Sequence, residues 1–129
     1  MRHPYTQLTL KWLRAEGYEA QVVERWNQFA MRRIDLYGII DIVAIKPGQI
    51  LGVQSTSMAA KGKHLEKLYA SRLSPLWLQA GGKLLLVCWR LLLEKRGGKR
   101  KSYQPAFYFI TEETLHESRS RTEIEKTAS

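Results

Sequence analysis

Cysteine is almost missing from this chain. Cys88 is the only one among 129 residues, so no internal disulfide framework can hold the fold. Lying inside the apolar run 84–88, it reads as a small buried hydrophobe, and such usage fits a reducing compartment. Histidine is scarce as well. His3, His64 and His116 are far apart and form no cluster with cysteine, which argues against a zinc site. No apolar stretch approaches the roughly 20 residues that span a bilayer, and the longest, residues 84–93, is interrupted by Arg90. The opening MRHPYTQLTLKW lacks the apolar core of a secretion signal. A cytoplasmic protein with no membrane partner is the expectation. Gly17, Gly38, Gly48 and Gly52 are isolated, so no phosphate-cradling glycine loop is present, and no Ser-His-Asp arrangement can be inferred. Acidic residues are also in deficit: 12 Asp and Glu face 21 Lys and Arg, a formal net charge of +9. That surplus favours a polyanionic partner, because cations beside phosphates release condensed counterions. The plainer reading is a basic protein with no nucleic-acid role.

What is present suffices for one core. Apolar residues make up 44% of the chain, with four Trp, and the length suits a single domain. We place it at residues 1–116, followed by a polar tail over 117–129 that is expected to be flexible. Leu8, Leu10, Trp12 and Leu13 recur at helical spacing between Pro4 and Gly17, which predicts a helix over 4–16. Partial period-2 alternation predicts a strand over 18–26, with 27–33 as a loop. Residues 38–45 are apolar on both faces except for one aspartate. Lys46-Pro47-Gly48 makes a turn into a strand over 49–56, so 38–56 is a hairpin. A second helix is predicted over 58–72, with Leu65, Leu68 and Tyr69 on one side and Lys61, Lys63, Lys67 and Arg72 largely on the other. Ser74 as cap and Pro75 at the first position open a short third helix, and Gly81-Gly82 ends it. Strands over 83–95 and 102–110 meet at Gly97-Gly98, with Pro105 marking an edge or a bulge. Residues 111–115 start a short helix. The order α-β-β-β-α-(α)-β-β predicts a mixed α/β domain, a central sheet with helices against it.

One residue breaks the pattern. Asp41 stands inside Ile39-Ile40-Asp41-Ile42-Val43-Ala44-Ile45, and a carboxylate there is costly to bury without a partner. Alternation puts Ile39, Asp41 and Val43 on one face and Gly52, Gln54 and Thr56 on one face of the returning strand. A carboxylate, an amide oxygen and a hydroxyl converging at a sheet edge are hard ligands suited to Mg²⁺ or Mn²⁺. The structural alternative stays open: Asp41 caps a loop or pairs with Arg33, and Gln54 and Thr56 bond across the sheet.

At these residues the chain resembles a known superfamily. DLYGIIDIVAIKPGQILGVQSTS, preceded by a helix ending LRAEGY, is similar to the core of the PD-(D/E)XK nucleases, especially their archaeal Holliday-junction-resolvase-like branch. The likeness covers residues 6–72. It implies a restriction-endonuclease-like fold, a central mixed β-sheet flanked by helices, and a metal-dependent endonuclease that hydrolyses DNA phosphodiester bonds, branched DNA included. Asp41 takes the place of the family's Asp, Gln54 that of Glu and Thr56 that of Lys in Glu-x-Lys. Members hold Mg²⁺ or Mn²⁺ with the Asp and Glu, and the Lys orients or activates the attacking water. By this likeness Asp41 and Gln54 are the metal ligands. Gln54 brings a carbonyl oxygen but no charge, and Thr56 brings no cation. The helix-borne Glu of the family is absent: Thr6 or Gln7 stands near its place, and Glu24 and Asp35 are the nearest spare carboxylates. Lys61 or Lys63 would return an ammonium from the second helix, as happens within the superfamily. The resemblance also implies a two-fold homodimer and a phage or mobile-element setting.

Further cations suit a nucleic-acid partner. Lys95, Arg96, Lys99, Arg100 and Lys101 put five charges into seven residues at a hairpin tip, fit to follow a phosphate backbone or simply to be solvated. Arg32 and Arg33 form a second phosphate clamp, or pair with Asp35 and Glu24. His64, beside Lys61 and Lys63, contacts phosphate or is an ordinary half-buried histidine. The four Trp read more simply as core than as stacking platforms; Trp26, beside Arg25 at a strand end, is the one whose exposure decides. The readings are thus a metal-dependent DNA endonuclease, a nuclease-fold nucleic-acid-binding protein with a degenerate site, and a module that binds another protein through its basic surface.

Overall fold

A computed structural model describes residues 4–128, with side chains through 121. Residues 1–3 and 129, the last of the expected tail, lie outside the described residues. Helix α1 (Pro4–Ala15) buries Thr6, Thr9, Leu10 and Leu13, the positions that three-and-four spacing brings to one side. Strand β1 (Glu19–Val22) is shorter than the expected run 18–26. Beyond Val23 the chain leaves the main sheet. Its next residues, β2 (Arg25–Asn27), pair with β3 (Arg32–Ile34), so the expected loop 27–33 is a hairpin. Asn27 shapes its turn: Oδ1 accepts from the N–H groups of Phe29 at 3.0 Å and Ala30 at 2.9 Å.

Strand β4 (Ile42–Lys46) begins later than the apolar run suggested. Residues 35–40 instead make a tight loop, with Leu36 bridged to Ile40 and Gly38 held at φ +74°. Strand β5 (Gln49–Ser57) returns beside β4 with Ile42 opposite Val53 and Val43 opposite Gly52. After a 3₁₀ turn (Met58–Ala60) come α2 (Lys61–Ala70) and α3 (Leu73–Gln79). Ser74 does not cap α3. It is buried, and its hydroxyl donates to the Leu68 carbonyl at 2.6 Å, while the Ser71 hydroxyl accepts the Leu73 N–H at 3.2 Å. Strands β6 (Lys83–Leu93) and β7 (Lys101–Ile110) follow, and α4 (Glu112–Ala128) runs well past the short helix expected at 111–115.

Among the described residues the main sheet has the order β1-β4-β5-β6-β7. Neighbours are antiparallel except β5 and β6, whose parallel pairing needs the crossover that α2 and α3 supply. Pro105 sits on β7, an edge strand, where a missing N–H is tolerated. One face of the sheet packs Ile42, Val53, Leu85 and Val87 against Leu10 and Leu13 of α1. The other packs Leu84, Leu86 and Cys88 against Leu68 of α2, Leu115 of α4, and Ile39 and Ile40. Strand β6 is therefore covered on both faces, which explains its unbroken apolar run. Burial pushes the Cys88 thiol up to about 11 despite Lys61 nearby, so it stays protonated and unreactive. The fold is α/β, a mixed five-stranded sheet flanked by helices, compatible with the restriction-endonuclease-like arrangement. Among the described residues no helix is long and apolar enough to cross a membrane.

Candidate active site

Asp41 is the last residue before β4, and the sheet holds its backbone on both sides. Its N–H donates to the Val53 carbonyl at 2.9 Å, and its carbonyl accepts the Val23 N–H at 2.8 Å. The second contact carries Glu24, the next residue, to Asp41. The loop 35–40 carries Asp35 back to the same place. Glu24, Asp35 and Asp41 each present a carboxylate oxygen, all within 4.8 Å of one another. These groups come from the exit of β1, the exit of β3 and the entrance of β4. Two of them flank the β2–β3 hairpin in the chain.

Gln54 reaches the cluster from β5 and is fully buried. Its Nε2 donates to Asp35 Oδ2 at 3.1 Å and to the Ile39 carbonyl at 3.1 Å. Two acceptors on the nitrogen side fix the amide, so Oε1 faces His64 Nδ1 at 2.8 Å and that nitrogen carries the proton. Lys67, one turn on from His64 in α2, donates from Nζ to Asp35 Oδ2 at 3.0 Å. Asp41 Oδ2 accepts the Ser55 N–H at 3.0 Å.

These contacts set the charges. Burial pushes Asp41 up to about 9, helped by the Asp35 carboxylate and by the charge of Glu24, against the Ser55 N–H. Burial raises Asp35 too, but the hydrogen bond with Asp41 and the Lys67 ammonium outweigh it, with His64 adding, and hold Asp35 below the usual carboxylate range. At neutral pH the two aspartates share one proton, carried by Asp41. Among the described residues Glu24 Oε1 is a buried oxygen without a hydrogen-bond partner.

No protein-family model, curated protein or solved structure matches the chain. The geometry alone therefore assigns the roles.

Asp41 and Glu24 meet in the cluster, and Gln54 reaches it through Asp35. Gln54 does so in a capacity other than the expected one: its oxygen faces His64, and its nitrogen faces the carboxylates. Asp35 takes the place beside Asp41 that Gln54 was expected to fill as a ligand. Thr56 is buried on the Gln54 face, opposite Cys88 of β6. Gln7 is exposed on α1, which packs on the other face of the sheet from Gln54. Lys61 holds its ammonium 4.4 Å from the centre of the Tyr108 ring, and Lys63 is exposed. The cation that meets the cluster is Lys67 instead, and Asp35 rather than Asp41 takes the ion pair, with Lys67 rather than Arg33. His64 and Lys67 lie three apart on one helix and so are neighbours on its surface, but Lys61 lies three before His64 as well, and spacing does not choose between the two lysines. Arg32 is exposed and Arg33 half-buried on β3, while Lys95, Arg96, Lys99, Arg100 and Lys101 are all exposed around the β6–β7 turn.

The donor set suits a hard divalent cation. It offers carboxylate oxygens alone, one of them buried and unpartnered.

Proposed function

We propose that this chain is a metal-dependent DNA endonuclease of the PD-(D/E)XK superfamily, of the Holliday-junction-resolvase-like type, acting on phosphodiester bonds in DNA that includes branched forms. The observation that carries this reading is the convergence of Glu24, Asp35 and Asp41 at the start of β4, where the resemblance expects the metal. These carboxylates would hold Mg²⁺ or Mn²⁺. When bound, such an ion supplies Lewis acidity to a phosphate oxygen and to the attacking water. Gln54 is a positioning residue: it aims Asp35 at the cluster and holds the His64 ring. Lys67 supplies the positive charge that Thr56 cannot, from a helix rather than from the strand. The exposed cations of the β6–β7 turn and of β3 bind backbone phosphates. A two-fold dimer would place one such site on each strand, and the exposed row Leu91, Tyr103, Phe107 and Phe109 on β6 and β7 is the apolar surface available for it.

One observation favours a second reading, a nuclease-fold protein that binds nucleic acid without cutting it. Gln54 and Thr56 carry no charge where Glu and Lys are expected, and the Gln54 oxygen is engaged by His64. A cleavage assay decides between them. The protein meets linear, single-stranded and four-way-junction DNA with Mg²⁺ and then Mn²⁺, beside Asp41→Ala. Cutting that needs metal and disappears in the variant supports the endonuclease. Salt-dependent binding without cutting, unchanged in the variant, supports the second reading. Equal cutting by both proteins would rule out this site.

A further inference from the structure

The β2–β3 hairpin forms a two-stranded sheet of its own, apart from the main one. Its large side chains face solvent: Trp26 is 56% exposed, Phe29 92% and Met31 72%. Tyr37, just past β3, is 59% exposed and held at φ +55°, a conformation that aromatic residues rarely adopt. Between the hairpin and residues 35–37 lies a cleft of about 500 Å³, lined in part by Arg25, Trp26, Asn27, Ile34, Asp35 and Tyr37. Asp35 belongs both to this cleft and to the carboxylate cluster.

We infer that this cleft binds one unpaired nucleotide of the DNA substrate. Its volume is that of a small-molecule site. Trp26 and Tyr37 offer flat faces on which any base can stack. Arg25 on the cleft wall, with Arg32 and Arg33 on the adjoining strand, offers cations for the flanking phosphates. A base inside a duplex cannot reach such faces without leaving its stack, whereas an unpaired base arrives at little cost. The cleft therefore selects DNA with a bulge, a branch or a single-stranded end. Because Asp35 is shared, a base seated there brings its neighbouring phosphate beside the carboxylates. The inference rests on the endonuclease reading for what happens to that phosphate, and on the cleft alone for the preference.

The test is a titration in Ca²⁺, followed by fluorescence anisotropy, of a labelled duplex, the same duplex with one bulged nucleotide, and the same bulge made abasic. The bulged duplex is expected to bind about tenfold more tightly than the other two. Trp26→Ala should erase that preference and leave the plain duplex unchanged, while Trp26→Phe should keep most of it. Trp26 is exposed, so neither variant threatens the fold, and circular dichroism verifies this. Equal binding of all three DNAs, or a Trp26→Ala loss that is the same on each, overturns the inference. Metal-dependent cleavage without bulge preference would sink this inference alone. Bulge preference without cleavage would sink only the endonuclease reading and leave the cleft's role standing.

Discussion

Asp41 and Asp35 show how a single proton reports on a site. The ordinary value for either group is 3.8; Asp41 stands at about 9, while Asp35 is held lower. A carboxyl whose folded value is raised contributes its stability fully below the unfolded value, and that stability is lost as pH climbs through the folded value. In metal-free protein, Asp41 should therefore weaken the fold progressively from about pH 4 to about pH 9. Asp41→Asn removes this loss. Its amide can donate to Asp35, as the protonated carboxyl does, and its oxygen still accepts from Ser55. Thermal melts in chelator should show the variant melting above the parent at pH 9, with the gap closing toward pH 5; parallel curves would contradict the shared proton. Gln54 carries the opposite kind of risk, since it is fully buried with all its bonding groups engaged. Gln54→Ala leaves a void and strands the Ile39 carbonyl, so a loss of about 3 kcal/mol is expected in urea titrations.

Among the elements, β5 is the one that joins fold to site. Its α1 side carries Leu51, Val53 and Ser55, the last with its hydroxyl 2.6 Å from Thr9. Its other side carries Gly52 and Gln54. Gly52 has no room for a side chain: an added Cβ would meet Ile40 Cδ1 at 2.7 Å and the Trp77 ring at 3.1 Å. Ile40 belongs to the loop that delivers Asp35. Gly52→Ala should therefore cost about 1–3 kcal/mol and reduce cleavage by more than that loss of folded protein explains. Comparing denaturation midpoints with turnover of the folded fraction checks this; an unchanged rate per folded molecule would mean that the loop does not transmit the shift. The β2–β3 hairpin was hidden in the sequence for a related reason. Residues 18–26 read as one strand because period-2 alternation cannot say where a chain leaves its sheet. Only the pairing of Trp26 with Arg33 reveals it.

For the molecule as a whole, the formal charge of +9 is concentrated in part where β6 and β7 turn. If these cations follow phosphates, duplex affinity should fall linearly in log–log with salt, and each phosphate contact removed should lower the slope by about 0.9. Arg96→Ala with Arg100→Ala tests this in a binding titration over several salt concentrations. An unchanged slope would make the turn merely solvated.

Local chemistry alone was enough for much of this molecule. Helical spacing marked α1 and α2, and Ser74-Pro75 followed by Gly81-Gly82 marked α3. Turn residues marked the β4–β5 and β6–β7 hairpins. The cost of burying a carboxylate marked Asp41 as the residue to explain. Each of these follows from interactions between neighbours in the chain, and a sequence displays those directly. The site's composition required the tertiary structure. Asp35 and Lys67 lie 32 positions apart yet meet at 3.0 Å. Whether Gln54 offers an oxygen or a nitrogen to the cluster depends on Ile39, Asp35 and His64 together. Side chains on separate elements become neighbours only when the sheet closes, and no spacing along the chain encodes which of several cations or carboxylates will then be within reach.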